Sequence, residues 1–141
     1  MITNLTDQLR RDEDEVLHAY PDHLGYTTIG VGRMIDRRKG GGITKEESAY
    51  LLANDIQHKT IEVLAALPWS ERLDPVRFAV LVNMAFQMGV DGLLGFKNTL
   101  ALIEAGDYEK ASDNMKLSKW HSQTPERCDR LRKQIITGEW Q

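Results

Sequence analysis

Apolar positions follow two rhythms along the chain, and the change between them falls near residue 20. Over residues 3–17, Leu5, Leu9 and Val16 share one side at helical spacing, with Thr3 as the candidate cap. Residues 20–36, YPDHLGYTTIGVGRMID, break that pattern. Pro21, three glycines and a run of Thr, Ile and Val predict turns and two or three short antiparallel strands. KGGG, residues 39–42, reads as a flexible loop. Helical spacing then returns. Thr44-Lys45-Glu46-Glu47 is a capping box, and Ala49, Leu52, Ala53, Ile56, Thr60, Val63, Leu64 and Leu67 follow at intervals of three and four. One long helix over about residues 45–66, ended by Pro68, is expected.

Asp74-Pro75 is a second start signal, with proline at the first helical position. The stretch behind it, VRFAVLVNMAFQMG, is apolar almost all round, so it should form the buried centre of a helical lobe, with Gly89 as its terminator. Further helices are expected near 97–105 (stopped by Gly106), 108–118, and 125–136 behind Thr124-Pro125. The sum is an α+β fold, mostly helical: a small N-terminal β-hairpin lobe joined by a long helix to a larger C-terminal helical lobe. Residues 1–141 make one domain, with the sheet lobe at about 12–43 and the connecting helix at about 44–67. Residues 68–141 plus the N-terminal helix make the helical lobe.

Composition narrows the function class. A chain of 141 residues that is 28% charged is an ordinary globular protein. No apolar run approaches the roughly 20 residues that span a bilayer, and no basic-then-apolar leader stands at the N-terminus. No stable membrane association is therefore expected. Cys128 is the only cysteine, which fits synthesis in a reducing cytoplasm. The four histidines are scattered, so no metal site and no cofactor is expected. The net charge of −3 argues against nucleic acid as partner. The charge is uneven: residues 1–15 hold two arginines against five acids, while residues 116–141 hold six Lys/Arg against three acids. The basic end could meet an anionic polymer, or the two ends could be unrelated solvated surfaces.

RRDEDEVLHAY, residues 10–20, carries four consecutive acids. At about 100° per residue, with Leu9 as zero, Leu5, Val16 and Tyr20 fall within roughly 40° of it. Glu13 lies at about +40° and Asp12 near −60°, while Asp14 and Glu15 point away. Glu13 is thus projected toward the apolar side, where desolvation raises a carboxyl pKa toward the range of a general acid. A rim glutamate paired with a nearby arginine is the plainer alternative. Asp22 follows in the turn between Pro21 and His23, where a structural turn residue is equally usual. Two carboxyls beside one small sheet are what glycoside hydrolysis needs, one to protonate the leaving oxygen and one to activate water.

LRRDEDEVLHAYPDHLGYTTIGVG closely resembles the N-terminal motif of the phage-type lysozymes, the endolysin muramidases (glycoside hydrolase family 24). That motif is an acid-glutamate pair on the first helix, then Tyr-x-Asp, then Gly-Tyr-x-Thr-Ile-Gly-x-Gly. The resemblance continues through ITKEESAYLLANDI, VLVNMAFQMG, GFKNTL and SKWHSQTPERCDRL, nearly the whole chain in order. It implies a lysozyme-like fold and hydrolysis of the β-1,4 bond between N-acetylmuramic acid and N-acetylglucosamine in peptidoglycan, causing host lysis. Glu13 would be the general acid. Asp22 would hold or activate the attacking water, helped by the Thr28 hydroxyl, with inversion at carboxyl separations of about 6.5–9.5 Å. Arg127 matches the arginine that pairs with the catalytic glutamate, and Met34, Phe86, Gln87, Thr99 and Asn114 match or adjoin positions lining the saccharide cleft. Bottom-up, Thr28 is equally a strand residue, and Met34 and Phe86 core residues.

Gly30 and Gly32 serve either a turn or bulge or the close approach of a sugar. Trp120 and Trp140 are expected to pack. A monomer acting on peptidoglycan glycan strands follows, made in the host cytoplasm and released to the wall with the help of a pore-forming holin. Two departures stand out. Arg33 replaces a histidine common in the family after the second glycine, and MIDRRKGGG is shorter than the matching segment of some relatives. A lytic transglycosylase, or a non-catalytic wall-binding or toxin module on the same fold, are the competing readings.

Overall fold

A computed structural model of the chain describes residues 4–38 and 41–141. Thr3, and Lys39 and Gly40 of the glycine loop, lie outside the described residues. The chain divides into two compact units, Met1–Leu52 and Ala53–Gln141. The first unit therefore includes the N-terminal helix, which the sequence pattern groups with the helical lobe, and the long helix crosses the division.

In the first unit, helix α1 spans Leu5–Glu13. Its cap is Asn4, whose side chain accepts from the Asp7 amide at 2.9 Å, in the way a short polar side chain satisfies an open N–H at a helix start. The helix ends at Glu13, four residues short of the expected end, and none of its residues is buried. Asp14 turns the chain with φ 59° and ψ 161°, and strand β1 runs over Val16–Pro21. Val16 and Tyr20 are thus strand residues. Strands β2 (Thr27–Gly30) and β3 (Arg33–Met34) complete an antiparallel sheet in the order β1-β2-β3. Tyr20 faces Thr28, and Thr28 faces Met34, so Thr28 sits on the central strand and is buried. Gly30 and Gly32 both take positive φ, 67° and 62°, in the β2–β3 turn, a conformation that costs glycine little.

Beyond β3, Asp36 organises the loop by accepting from the amides of Arg38 (2.8 Å) and Gly42 (3.1 Å). Helix α2 spans Lys45–Ala66, as its periodicity predicts. Thr44 Oγ1 accepts from the Glu47 amide at 3.1 Å, which is half of the expected capping box. The other half is redirected: Glu47 Oε1 accepts from the Thr44 hydroxyl and, at 2.7 Å, from Arg33. Arg33 thereby ties β3 to the start of α2. The apolar series along α2 is only partly covered. Val63 is its one buried residue, while Leu52 and Ile56 are exposed.

In the second unit, Leu67 is buried and a 3-10 turn over Pro68–Arg72 leads to α3 (Pro75–Leu94). Asp74 caps α3 through its carboxylate, which accepts from the Arg77 amide at 3.0 Å, with Pro75 in the first turn. Val80, Leu81, Met84, Ala85 and Leu93 of α3 are buried, as expected for the central helix. Gly89 breaks it as expected: at φ 76° and ψ 164° its backbone is non-helical, and a short second helical stretch follows it to Leu94. By length and composition alone this 20-residue segment is apolar enough to span a bilayer, a property it shares with the core helices of soluble proteins, and it is broken at Gly89. Its buried face belongs to a core shared with Ile103, Ala111, Met115, Cys128, Leu131 and Ile135.

Helices α4 (Lys97–Glu104), α5 (Tyr108–Lys116) and α7 (Pro125–Thr137) match the predicted segments, and a short α6 (Lys119–Gln123), capped by Ser118, was not predicted. Arg77 locks α3 to the end of α7: its guanidinium donates to the carbonyls of Ile135 (2.7 Å) and Ile136 (2.8 Å), two of the acceptors that a helix end leaves open. It also pairs with Asp74 at 3.1 Å and lies 4.1 Å from the centre of the Tyr108 ring.

Candidate active site

Three of the four acids in the RRDEDE run are accounted for by their neighbours. Asp12 pairs with Arg11 at 2.5 Å, Glu15 pairs with Arg10 at 3.8 Å, and Asp14 carries the chain out of the helix. Glu13 has no ion-pair partner among the described residues of this unit. Its carboxyl lies instead over the backbone of Gly32, close enough that a methyl group there would stand 2.5 Å from Oε2. The side chain is exposed, so the expected inward lean onto an apolar stripe is not observed. The stripe itself is not buried: Leu5 and Leu9 are exposed and Val16 and Tyr20 belong to β1, so α1 has no buried face for Glu13 to join.

Asp22 closes the β1–β2 turn. Its Oδ1 accepts from the amides of Leu24 and Tyr26, both at 2.9 Å, while its own amide donates to the Tyr26 carbonyl at 2.8 Å. The Tyr26 amide chiefly, against an opposing contribution from burial and with help from Leu24, His23 and Gly25, holds the Asp22 carboxyl below its ordinary range. Asp22 is thus both the turn residue that its Pro-flanked position suggests and a carboxylate kept ionised. The Thr28 hydroxyl donates to the same Tyr26 carbonyl at 3.1 Å. With its proton committed there, Thr28 Oγ1 presents acceptor lone pairs. One residue, Tyr26, therefore connects both side chains, through its amide to Asp22 and its carbonyl to Thr28, and leaves both as acceptors.

Met34, on β3, is 44% exposed and lines a pocket of about 340 Å³ with Arg33, Asp36, Arg37 and Glu47. In the second unit, Thr99 and Asn114 come together in a pocket of about 290 Å³ that also takes in Phe96, Asn98, Leu117 and Ser118. Asn98 and Ser118 went unnoticed in the sequence. Asn98 directly precedes Thr99, and Ser118 precedes a helix too short to announce itself by periodicity. Phe86 is 42% exposed and does not belong to the core. Gln87 accepts from the Trp120 indole N–H at 2.9 Å and donates to Thr124 Oγ1 at 3.3 Å, so both ends of its carboxamide are engaged. Trp120 is buried and meets Phe96 edge-on with ring centres 5.9 Å apart, linking this bond to the pocket wall. Trp140 is 68% exposed and does not pack as expected. Arg127 grips Asn83: Nε and Nη2 donate to Oδ1 at 3.0 and 2.7 Å, and Nη2 also to the Asn83 carbonyl at 3.2 Å. Cys128 is buried, which pushes its thiol up to about 11 and makes it a poor nucleophile.

An α+β chain with a small antiparallel sheet bearing an ionised turn aspartate, followed by a helical unit around one apolar central helix, has the lysozyme-like architecture. Residues 11–134 match the family model for phage lysozyme, and the chain belongs to that family. It is 35% identical to "Probable T4-type lysozyme 1" of Dictyostelium discoideum over 164 aligned positions, covering 98% of this chain and 96% of the relative. It is 30% identical to the endolysin of Salmonella phage P22 over 88% of this chain and 86% of the relative. It is also 32% identical to the pre-baseplate central spike protein of Enterobacteria phage T4, over 96% of this chain but 28% of that longer protein. The 164 aligned positions exceed the 141 residues here, so the first relative carries residues that this chain lacks. Membership makes the chain an enzyme of lysozyme type.

Proposed function

We propose that the protein is an endolysin that hydrolyses the β-1,4 bond between N-acetylmuramic acid and N-acetylglucosamine in bacterial peptidoglycan, with Glu13 as general acid and Asp22 and Thr28 holding the attacking water. Family membership supports hydrolysis of peptidoglycan, the substrate named for a phage relative, the "Peptidoglycan hydrolase gp36" of Pseudomonas phage phiKMV. The observation that carries the division of roles is the hydrogen bonding around Tyr26. A water donating one hydrogen to the Asp22 carboxylate and the other to Thr28 Oγ1 turns a lone pair outward as the nucleophile. A carboxylate kept ionised by two amide bonds suits that task. Attack by water on the face opposite the leaving oxygen inverts the anomeric carbon.

Met34, Phe86, Thr99 and Asn114 would contact the glycan, with Thr99 and Asn114 offering hydrogen bonds from one pocket. Gln87 would act through Trp120 and Thr124, given its engaged carboxamide. Arg127 keeps its place as partner of Glu13 on the resemblance alone. A cytoplasmic monomer released by a pore-forming holin completes the proposal, on the same ground. The test is digestion of purified peptidoglycan by wild type and Asp22→Asn, with product ends read by mass spectrometry. Reducing N-acetylmuramic acid ends, and a loss of at least about 100-fold in Asp22→Asn, are expected. Anhydro-sugar ends and indifference to Asp22→Asn would identify a lytic transglycosylase instead.

A further inference from the structure

We infer that Gly32 is a positioning residue for the Glu13 carboxyl, its bare Cα forming the floor on which the acid is held. The inference rests on Glu13 being the general acid. Glu13 ends α1, where a glutamate side chain would ordinarily swing freely in water, and no ion pair among the described residues of its unit fixes it. What limits it is the β2–β3 turn. A methyl group built on Gly32 would stand 2.5 Å from Glu13 Oε2, 3.0 Å from Cδ and 3.1 Å from Cβ. The side chain therefore lies against this one glycine along its length, root as well as tip. The backbone φ of 62° gives a second reason for glycine here, but the contact is separate from it. Gly106, at φ 79°, has nothing within 4 Å of the same built methyl and so isolates the conformational cost alone.

The atom met first is the free end of a flexible side chain, so an alanine at 32 is accommodated by moving the carboxyl and not by unfolding the sheet. Movement of a proton donor by about an ångström is enough to slow a reaction roughly 100-fold while leaving remote substrate contacts in place. The same methyl would leave a glutamate with no catalytic duty displaced but without consequence.

The experiment compares Gly32→Ala, Gly106→Ala and Glu13→Gln with wild type on soluble, uncross-linked peptidoglycan strands, per folded molecule. Gly32→Ala should lower kcat by about 10- to 100-fold with KM within about twofold. The 13C chemical shift of the Glu13 carboxyl should also move. Gly106→Ala should lose stability only, keeping kcat within about twofold of wild type. If Glu13→Gln is inactive while Gly32→Ala keeps wild-type kcat, the inference fails and the catalytic reading stands. If Gly32→Ala loses its fold, the inference also fails, because the backbone has then given way instead of the carboxyl. A fully active Glu13→Gln would sink the catalytic reading and the inference with it.

Discussion

Asp14 leaves the first helix in a backbone conformation almost reserved for glycine, φ 59° and ψ 161°, immediately beside Glu13. Such a residue stores about 1–3 kcal/mol of strain. Asp14→Gly relieves it at an entropic cost of about 0.5–1 kcal/mol, so the variant should be more stable by about 1 kcal/mol in urea unfolding. A destabilised Asp14→Gly would show that the turn is held by the aspartate side chain. The neighbouring acids illustrate what a sequence can and cannot reveal about a residue. The four-acid run and Asp22 were visible as candidates, but helical phase could not rank Asp12 to Glu15, since the helix stops at Glu13. The ranking comes from Arg10, Arg11 and Gly32, none of whose contacts leaves a periodic signature. Thr28 read equally well as a plain strand residue, and its strand does bury it; its committed proton emerges only with the Tyr26 carbonyl in place.

Elements with chemical punctuation were legible. Thr44, Pro68, Asp74-Pro75, Gly106 and Thr124-Pro125 mark helix ends that the structure reproduces to within a residue or two. The α1–β1 boundary was not legible, for a physical reason. Val16 and Tyr20 stand four apart, which is one turn of a helix and also the same face of a strand, so both periods accept the pair. Gly89 was legible too: its positive φ breaks the central helix where the sequence pattern ends it, and a second helical stretch follows. At this scale Arg77 ties α3 to the last carbonyls of α7. Arg77→Met keeps much of the volume but leaves one partly buried and one exposed acceptor without the guanidinium. It should cost about 1–3 kcal/mol in equilibrium unfolding of the whole chain. A loss below about 0.5 kcal/mol would mean that water replaces the guanidinium at both carbonyls.

Among the described residues, five aspartates have carboxyls held below the ordinary value of 3.8. At Asp36, Asp107 and Asp129 the largest cause is a side-chain bond, from Arg38, Lys110 and Arg132 respectively. At Asp74 burial pulls upward and is outweighed by the Arg77 amide and guanidinium. A folded pKa below the unfolded one contributes stability that is present above about pH 4 and is lost as pH falls through the folded values. Stability should therefore be flat from about pH 5 to 7 and fall below about pH 4, and Asp74→Asn should make that fall shallower. An equally steep fall in Asp74→Asn, by thermal melts at pH 7, 4 and 2.5, would remove Asp74 from the account. The separation of strand-type from helix-type segments along the chain was legible in the pattern of apolar and turn residues. The division inside α2 could not, because its apolar series runs unbroken across residue 52 while the burial does not.

All of this converges on one carboxyl. Reducing ends released from purified peptidoglycan by Glu13→Gln, compared per folded molecule with wild type, test it most directly. Glutamine keeps the shape and removes the transferable proton, so release should fall by at least about 100-fold with the melting curve essentially retained. A folded Glu13→Gln that cleaves as fast as wild type would contradict the assignment of Glu13 as the general acid.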